Sequence, residues 1–253
     1  MRALFLIMAL MVTTLAGQAV AEDKLAAVIA GPQRSAENAA RDAARHPQAV
    51  LSFMGLQDGM TVVEVSPGAK MWWTEILAPY LKDHGRYYLA LAGFETEAVK
   101  ARMAAEPALY GRMMLTSVAE PAPPASADMV LTFRNLHNWM AKGRQEEVLK
   151  GFFQALKPGG ILGLSDHRAA AGQEADPKAG SGYVSEDYAV ALVEKVGFKL
   201  LARSEVNANP KDSKDYPGGV WSLPPTFALK DADRERYAAI GEADEFTLKF
   251  VKP

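Results

Sequence analysis

The 253-residue chain contains no cysteine. Disulfides, thiolate nucleophiles, cysteine-ligated zinc and a lipidated amino-terminal cysteine are thereby excluded, while an oxidising compartment stays open. An excess of charge is also missing: 28 Lys and Arg stand against 30 Asp and Glu, for a net charge of −2. The basic residues are scattered among acids and form no stripe, which argues against a nucleic-acid surface and for a small-molecule partner. There is no internal repeat and no coiled-coil pattern.

The one membrane-like stretch is the apolar run Ala3–Leu15, short for a span. It follows Arg2 and precedes Ala19-Val20-Ala21 and the acidic pair Glu22-Asp23, the layout of a secretory leader. The expectation is cleavage after Ala21, a periplasmic or secreted mature protein, and no stable membrane insertion. Residues 1–21 are then the signal peptide, 22–59 an amino-terminal helical cap and 60–253 one α/β domain.

The alternation begins at Thr61–Leu81, where a β-branched run breaks at Ser66-Pro67-Gly68 and restarts as an amphipathic helix. Before it, Ser35–Arg45 reads as an Ala-rich, mostly exposed helix, and Pro47 opens a second short helix stopped by Gly55 or Asp58-Gly59. After it come strand 86–91, helix 95–105, a short strand 111–116, strand 128–133, helix 144–156, the Lys157-Pro158-Gly159-Gly160 turn and strand 161–165. Strands alternating with helices give a doubly wound parallel sheet. Helix 185–196 and strands 198–206 and 246–251 follow; with no helix between them, the last two strands pair as antiparallel neighbours. The connection between them, 207–244, is long for a compact domain and is expected to be a lid or partly mobile.

In such sheets, ligands bind over the turns that leave the strands' carboxyl ends. Glu64-Val65-Ser66-Pro67-Gly68-Ala69-Lys70 offers small residues for close backbone approach and an acid for a hydroxyl or amine, though Pro-Gly is also an ordinary turn. Arg134, Asn135, His137, Asn138 and Trp139 follow the next central strand; His137 and Trp139 serve equally well as helix cap or core. Asp166 and His167 end another strand and suit a base with its orienter, or a loop tether. A third metal ligand at recognisable spacing is missing, so no metal is expected. Arg41, Asp42, Arg45 and His46 either fold over the pocket or form a solvated helix face.

Taken together, Arg41-Asp42-Ala43-Ala44-Arg45-His46-Pro47, Val62–Gly68, Trp73–Tyr80, Phe133–Trp139, Leu156–Gly160 with Asp166-His167-Arg168, and Thr247–Pro253 resemble the class I S-adenosylmethionine-dependent methyltransferases, and within them a subgroup of exported predicted methyltransferases. The resemblance spans nearly the whole mature chain. It implies a Rossmann-like seven-stranded sheet with an antiparallel last strand, S-adenosylmethionine across the first strands' carboxyl ends, and methyl transfer to a small molecule. Cofactor contacts are implied at Glu64, Ser66, Gly68, Lys70, Glu95, Arg134 and Asn135, and catalytic roles at His137, Asn138, Asp166 and His167, His137 being the base. Of the family's Gly-x-Gly-x-Gly turn only Gly68 is present; Ser66 and Lys70 occupy the outer positions, so the Lys70 cation is expected where the cofactor approaches. No acid follows Leu91 to hold a ribose, Glu95 coming a few residues later. These departures sustain an alternative, a non-catalytic periplasmic binding or accessory protein on the same fold. A nicotinamide oxidoreductase lacks its Gly-x-Gly-x-x-Gly.

Overall fold

The computed structural model describes residues 23–253; the expected leader, residues 1–21, lies outside the described residues. Among the described residues no helix is long and apolar enough to cross a membrane. Helix α1 occupies 23–29. It is followed by α2 (Ala36–Ala39), α3 (Asp42–Arg45), α4 (Pro47–Met54), β1 (Thr61–Val65), α5 (Thr74–Leu81), β2 (Arg86–Leu91), α6 (Thr96–Ala105), α7 (Pro107–Tyr110), β3 (Met114–Ser117) and β4 (Ala127–Phe133). Then come α8 (Leu136–Ala141), α9 (Gln145–Ala155), β5 (Leu156–His167), α10 (Glu186–Val196), β6 (Lys199–Ser204), a 3-10 turn (Gly219–Ser222), α11 (Arg234–Ile240) and β7 (Glu245–Val251).

The seven strands form one sheet in the order β3-β2-β1-β4-β5-β7-β6. Strands β1 to β5 pair in parallel, and β7 runs antiparallel between β5 and β6. This is the doubly wound class I methyltransferase sheet, with its topological switch between β1 and β4. Alternation along β1 sends successive side chains to opposite faces. Val63 and Val65 pack with Leu149 and Phe152 of α9 and Val193 of α10, whereas Val62 packs with Ile76 and Leu77 of α5.

Helix α4 also lies on that second face. Its Val50, Leu51 and Met54 are fully buried in the same cluster as Leu25, Met129 and Leu131. Each such side chain contributes roughly 1.5–3 kcal/mol, which fixes the amino-terminal segment firmly onto the sheet. The expected single helix 35–45 is two short turns, α2 capped by the Ser35 hydroxyl and α3 ended by His46 at φ 42°. That left-handed residue turns the chain sharply from α3 into α4.

Two further departures bear on the site. Residues 136–141 form α8, where the sequence reading placed no helix, and Asp166 of β5 accepts from the His137 N–H in its first turn (3.0 Å). The segment 207–244 carries a 3-10 turn and α11, and packs Tyr216, Val220, Leu223, Tyr237 and Ala243 with Tyr183 in a small third core. Polar ties reinforce it: the Tyr183 hydroxyl donates to Asp212 (3.0 Å), whose other oxygen accepts from the Asp244 N–H (2.8 Å).

Candidate active site

Two arrangements meet at the carboxyl ends of the central strands. The first is a cleft of about 300 Å³ across the ends of β1, β2, β3 and β4, bordered by Ser66, Ala92, Phe94, Val118, Asn135 and Asn138. Its position at the β1/β4 switch follows from the fold. Ser66 N donates to Ala90 O (2.9 Å), extending the ladder past β1, and Ser66 then turns left-handed at φ 48°. Its hydroxyl is buried and has no partner. Gly68 follows at φ 68°, with open space where a Cβ would stand. Across the switch, Asn135 Nδ2 donates to Val65 O (3.0 Å) and Thr132 Oγ1 (3.3 Å), holding the β4 exit against β1. Lys142 and Arg144 stand at the rim, and no carboxylate is among the residues that line the cleft. A cleft of about 260 Å³ near Arg86 lies at the strands' other, amino ends, away from these groups.

Glu95 is drawn back beneath the cleft. Its Oε1 accepts from the Ala92 N–H (2.9 Å), while its buried Oε2 has no partner. Phe94 beside it is 79% exposed at the cleft edge. The other two acid and cation candidates of the first turn point elsewhere. Glu64 is buried under the turn, its Oε2 accepting from Thr74 Oγ1 (2.8 Å) and from the Tyr87 hydroxyl, and burial pushes its carboxyl up to about 7. Lys70 is exposed and pairs with Glu37 of α2 (2.8 Å), so its cation stands away from the cleft it was expected to enter.

The second arrangement lies over β4 and β5. His137 Nδ1 stands 2.8 Å from Asp166 Oδ1, and the same oxygen accepts from the His167 N–H at 2.8 Å. With a carboxylate as its neighbour, Nδ1 carries the proton and Nε2 keeps its lone pair. Burial pulls His137 down, but the Asp166 charge more than offsets it, and the imidazole is raised above its usual value. Burial likewise opposes the ionisation of Asp166, yet His137 and the hydrogen bonds hold it below the usual carboxylate range. His167, its ring centroid 5.4 Å from that of His137, is lowered to about 3 by burial and by the Arg134 charge, and is therefore neutral. Its Nδ1 is buried without a partner. Trp221, from the 207–244 segment, covers His137 at 6.1 Å between centroids, and Tyr183 covers His167 at 6.5 Å.

The ligand atoms of His137, Asp166 and His167 lie within 4.8 Å of one another, the compass of a metal ion. Asp166, however, already accepts three hydrogen bonds, and the Arg134 charge bears on both imidazoles. The three side chains thus form one buried group, with Asp166 as its shared acceptor.

Arg134 belongs to neither group. At φ 59° it turns its side chain aside, and the guanidinium donates to Glu242 Oε2 (2.6 Å) and to Glu245 Oε1. Arg41 holds Glu242 bidentately (2.7 and 2.9 Å), so α3, the β4 exit and the β7 entry are tied by one ionic network above the sheet. Thus Ser66, Asn135 and Asn138 line the cleft, His137, Asp166 and His167 form the second group, and Glu64, Lys70 and Arg134 line neither. Glu242, Glu245, Phe94, Tyr183 and Trp221 carried no local sequence signal; their roles come from contacts across the fold.

No protein-family model matches the chain, and no curated protein does. Solved structures do. An S-adenosylmethionine-dependent methyltransferase from Aquifex aeolicus superposes with a TM-score of 0.57 at 18% identity, over 84% of this chain and 93% of that one. The cyclase SpnF gives 0.58 at 18% identity, over 94% and 95%. Phosphoethanolamine N-methyltransferase 2 of Haemonchus contortus, solved with S-adenosyl-L-methionine, gives 0.56 at 14% identity, over 83% of this chain and 52% of that one. At such identities the likeness is one of fold, and a fold of this kind hosts more than one reaction.

Proposed function

We propose that the protein is an S-adenosylmethionine-dependent methyltransferase acting on a small molecule. The observation that carries this reading is the adjacency of the cleft at the β1/β4 switch and the His137–Asp166 dyad, joined through Asn135 and the first turn of α8. The residues present fit the nucleoside cofactor. The cleft is of ligand size, and the buried Ser66 Oγ at its border has no partner. Lys70, whose charge would oppose a sulfonium, is engaged by Glu37. Ser66, Ala92, Asn135 and Asn138 would hold the cofactor, which supplies an electrophilic methyl group when bound.

The chain's own residues do the rest. Asp166 fixes the His137 tautomer and leaves Nε2 to take a proton from the acceptor. A cofactor held there would supply the methyl group that takes the place of the acceptor's hydroxyl proton, and His137 Nε2 would receive that proton. Trp221 and Tyr183 shield the imidazoles from water. The expected test is calorimetric: S-adenosylhomocysteine binds the purified protein saturably, and Ala92→Trp, at an exposed lining position, weakens it by at least about tenfold. Unchanged affinity in that variant would place the nucleoside elsewhere.

The same reading takes residues 1–21 as an export leader cleaved after Ala21, with function in the periplasm or outside the cell. A reporter fused to residues 1–24 should be exported, and its retention in the cytoplasm would remove this part.

A further inference from the structure

Resting on that methyl-transfer reading, we propose that Arg45 is the receptor for a compact oxyanion on the acceptor, a carboxylate in the simplest case, so that the substrate is a small acid with a nucleophilic hydroxyl. Arg45 closes α3, and its side chain is only 11% exposed. Its guanidinium lies 4.5 Å from the Trp72 ring centroid and 6.0 Å from that of Trp73.

Three guanidiniums converge here on two carboxylates, and Arg45 is the one left over. Glu242 is filled by Arg41 and Arg134; Glu245 receives Arg134 on one oxygen and the Ser165 hydroxyl on the other (3.3 Å). The carboxylate atom nearest to the Arg45 guanidinium is Glu242 Oε2 at 3.9 Å, beyond hydrogen-bond distance, and the guanidinium makes no hydrogen bond among the described residues. Glu64 lies within its field, but that carboxyl is pushed up to about 7 by burial and already accepts two hydroxyls. Asp166 is saturated by His137 and His167.

A buried guanidinium presents five donors and is costly to leave without acceptors. Burial, and then the Arg134 and Arg41 charges, lower its pKa well below the usual value, against the opposing pull of Glu245 and Glu242. Two more polar groups nearby are idle. Trp73, whose ring Arg45 overlies, has a buried Nε1 without a partner, and His167, which feels the Arg45 charge, has an idle Nδ1. Trp73 stacks on Phe133 (4.1 Å, 18°), giving an aromatic wall beside the cation. An oxyanion on Arg45 would bring the rest of a small acid toward the imidazoles of β5 and α8, where the base stands.

The test uses tryptophan fluorescence of the purified protein with S-adenosylhomocysteine present. The probes are acetate, benzoate and 4-hydroxybenzoate, with 4-hydroxybenzamide as the uncharged counterpart. The expected result is saturable binding of at least one acid, 4-hydroxybenzoate at least about tenfold tighter than its amide, as for charge-assisted hydrogen bonds. Arg45→Gln should abolish that preference, Arg45→Lys should keep part of it, and circular dichroism should show both variants folded. S-adenosylhomocysteine should bind Arg45→Gln as it binds the wild type. A loss of its affinity by about tenfold or more would assign Arg45 to the cofactor's own carboxylate and overturn the proposal, as would no response to any acid at millimolar concentration, or a preference that survives Arg45→Gln. Acid selectivity that depends on Arg45 in a protein that does not bind S-adenosylhomocysteine would uphold the anion site and remove the methyl-transfer reading instead.

Discussion

His137→Ala should lower kcat by about 10²–10⁴ with any acceptor the wild type methylates, while leaving S-adenosylhomocysteine affinity within about twofold. The split follows from the geometry: His137 faces Asp166, His167 and Trp221, and it is Asn135 and Asn138 that border the cleft. A parallel loss of nucleoside binding would make His137 structural. Asp166→Asn should reduce kcat too, and it should also move the pH profile. The base works when unprotonated, so activity rises with pH through the His137 pKa, which Asp166 raises above 6.5. Without the carboxylate, burial and the Arg134 charge outweigh the weaker pull of Glu245, and the acidic limb shifts to lower pH. Stability runs the other way. A raised histidine pKa contributes stability that is present below the unfolded value and lost as pH rises through the folded one. An acidic limb that stays in place in Asp166→Asn would show that another group carries the proton.

Glu242→Ala is expected to destabilise the protein by about 3–5 kcal/mol, because it leaves the buried Arg134 without one of its two carboxylates. Arg41→Ala, which removes the more exposed partner, should cost about 1 kcal/mol or less. Urea unfolding followed by circular dichroism measures both. Glu242 is opposed by burial but held down to about 2 by Arg134 and Arg41. Its folded pKa is thus depressed, so its contribution is present above the ordinary value of 4.5 and is lost as pH falls through about 2. Stability should decline across that window more steeply in the wild type than in Glu242→Gln. Equal slopes would mean that the network contributes no differential protonation.

The strands were legible because their signals are local. Strand β2 occupies 86–91 as read, and β1, β4 and β7 begin or end within a residue of their β-branched runs, each with a turn former beside it. Helix α8 was not legible, since the group that accepts from its first turn is Asp166, 29 residues from His137. The long connection 207–244 owes its order to Tyr183, Tyr216 and Tyr237 meeting at irregular spacing, which no periodicity reveals. At the site, Ser66, Asn135, His137, Asp166 and His167 could be named from the sequence because each stands at or just past a strand's carboxyl end. The direction of Lys70 could not, because Glu37, 33 residues earlier, determines it. The ionic network pairs Arg41 with Glu242 across 201 residues, and the surplus charge on Arg45 exists only once those pairs are assembled.

The most direct test of methyl transfer at this site is a crystal structure with S-adenosylhomocysteine bound. The nucleoside is expected in the cleft between Ser66, Ala92 and Val118, with the sulfur directed past Asn135 toward His137. A ligand bound at the amino ends of the strands, or a cleft that stays empty at saturating ligand, would contradict it.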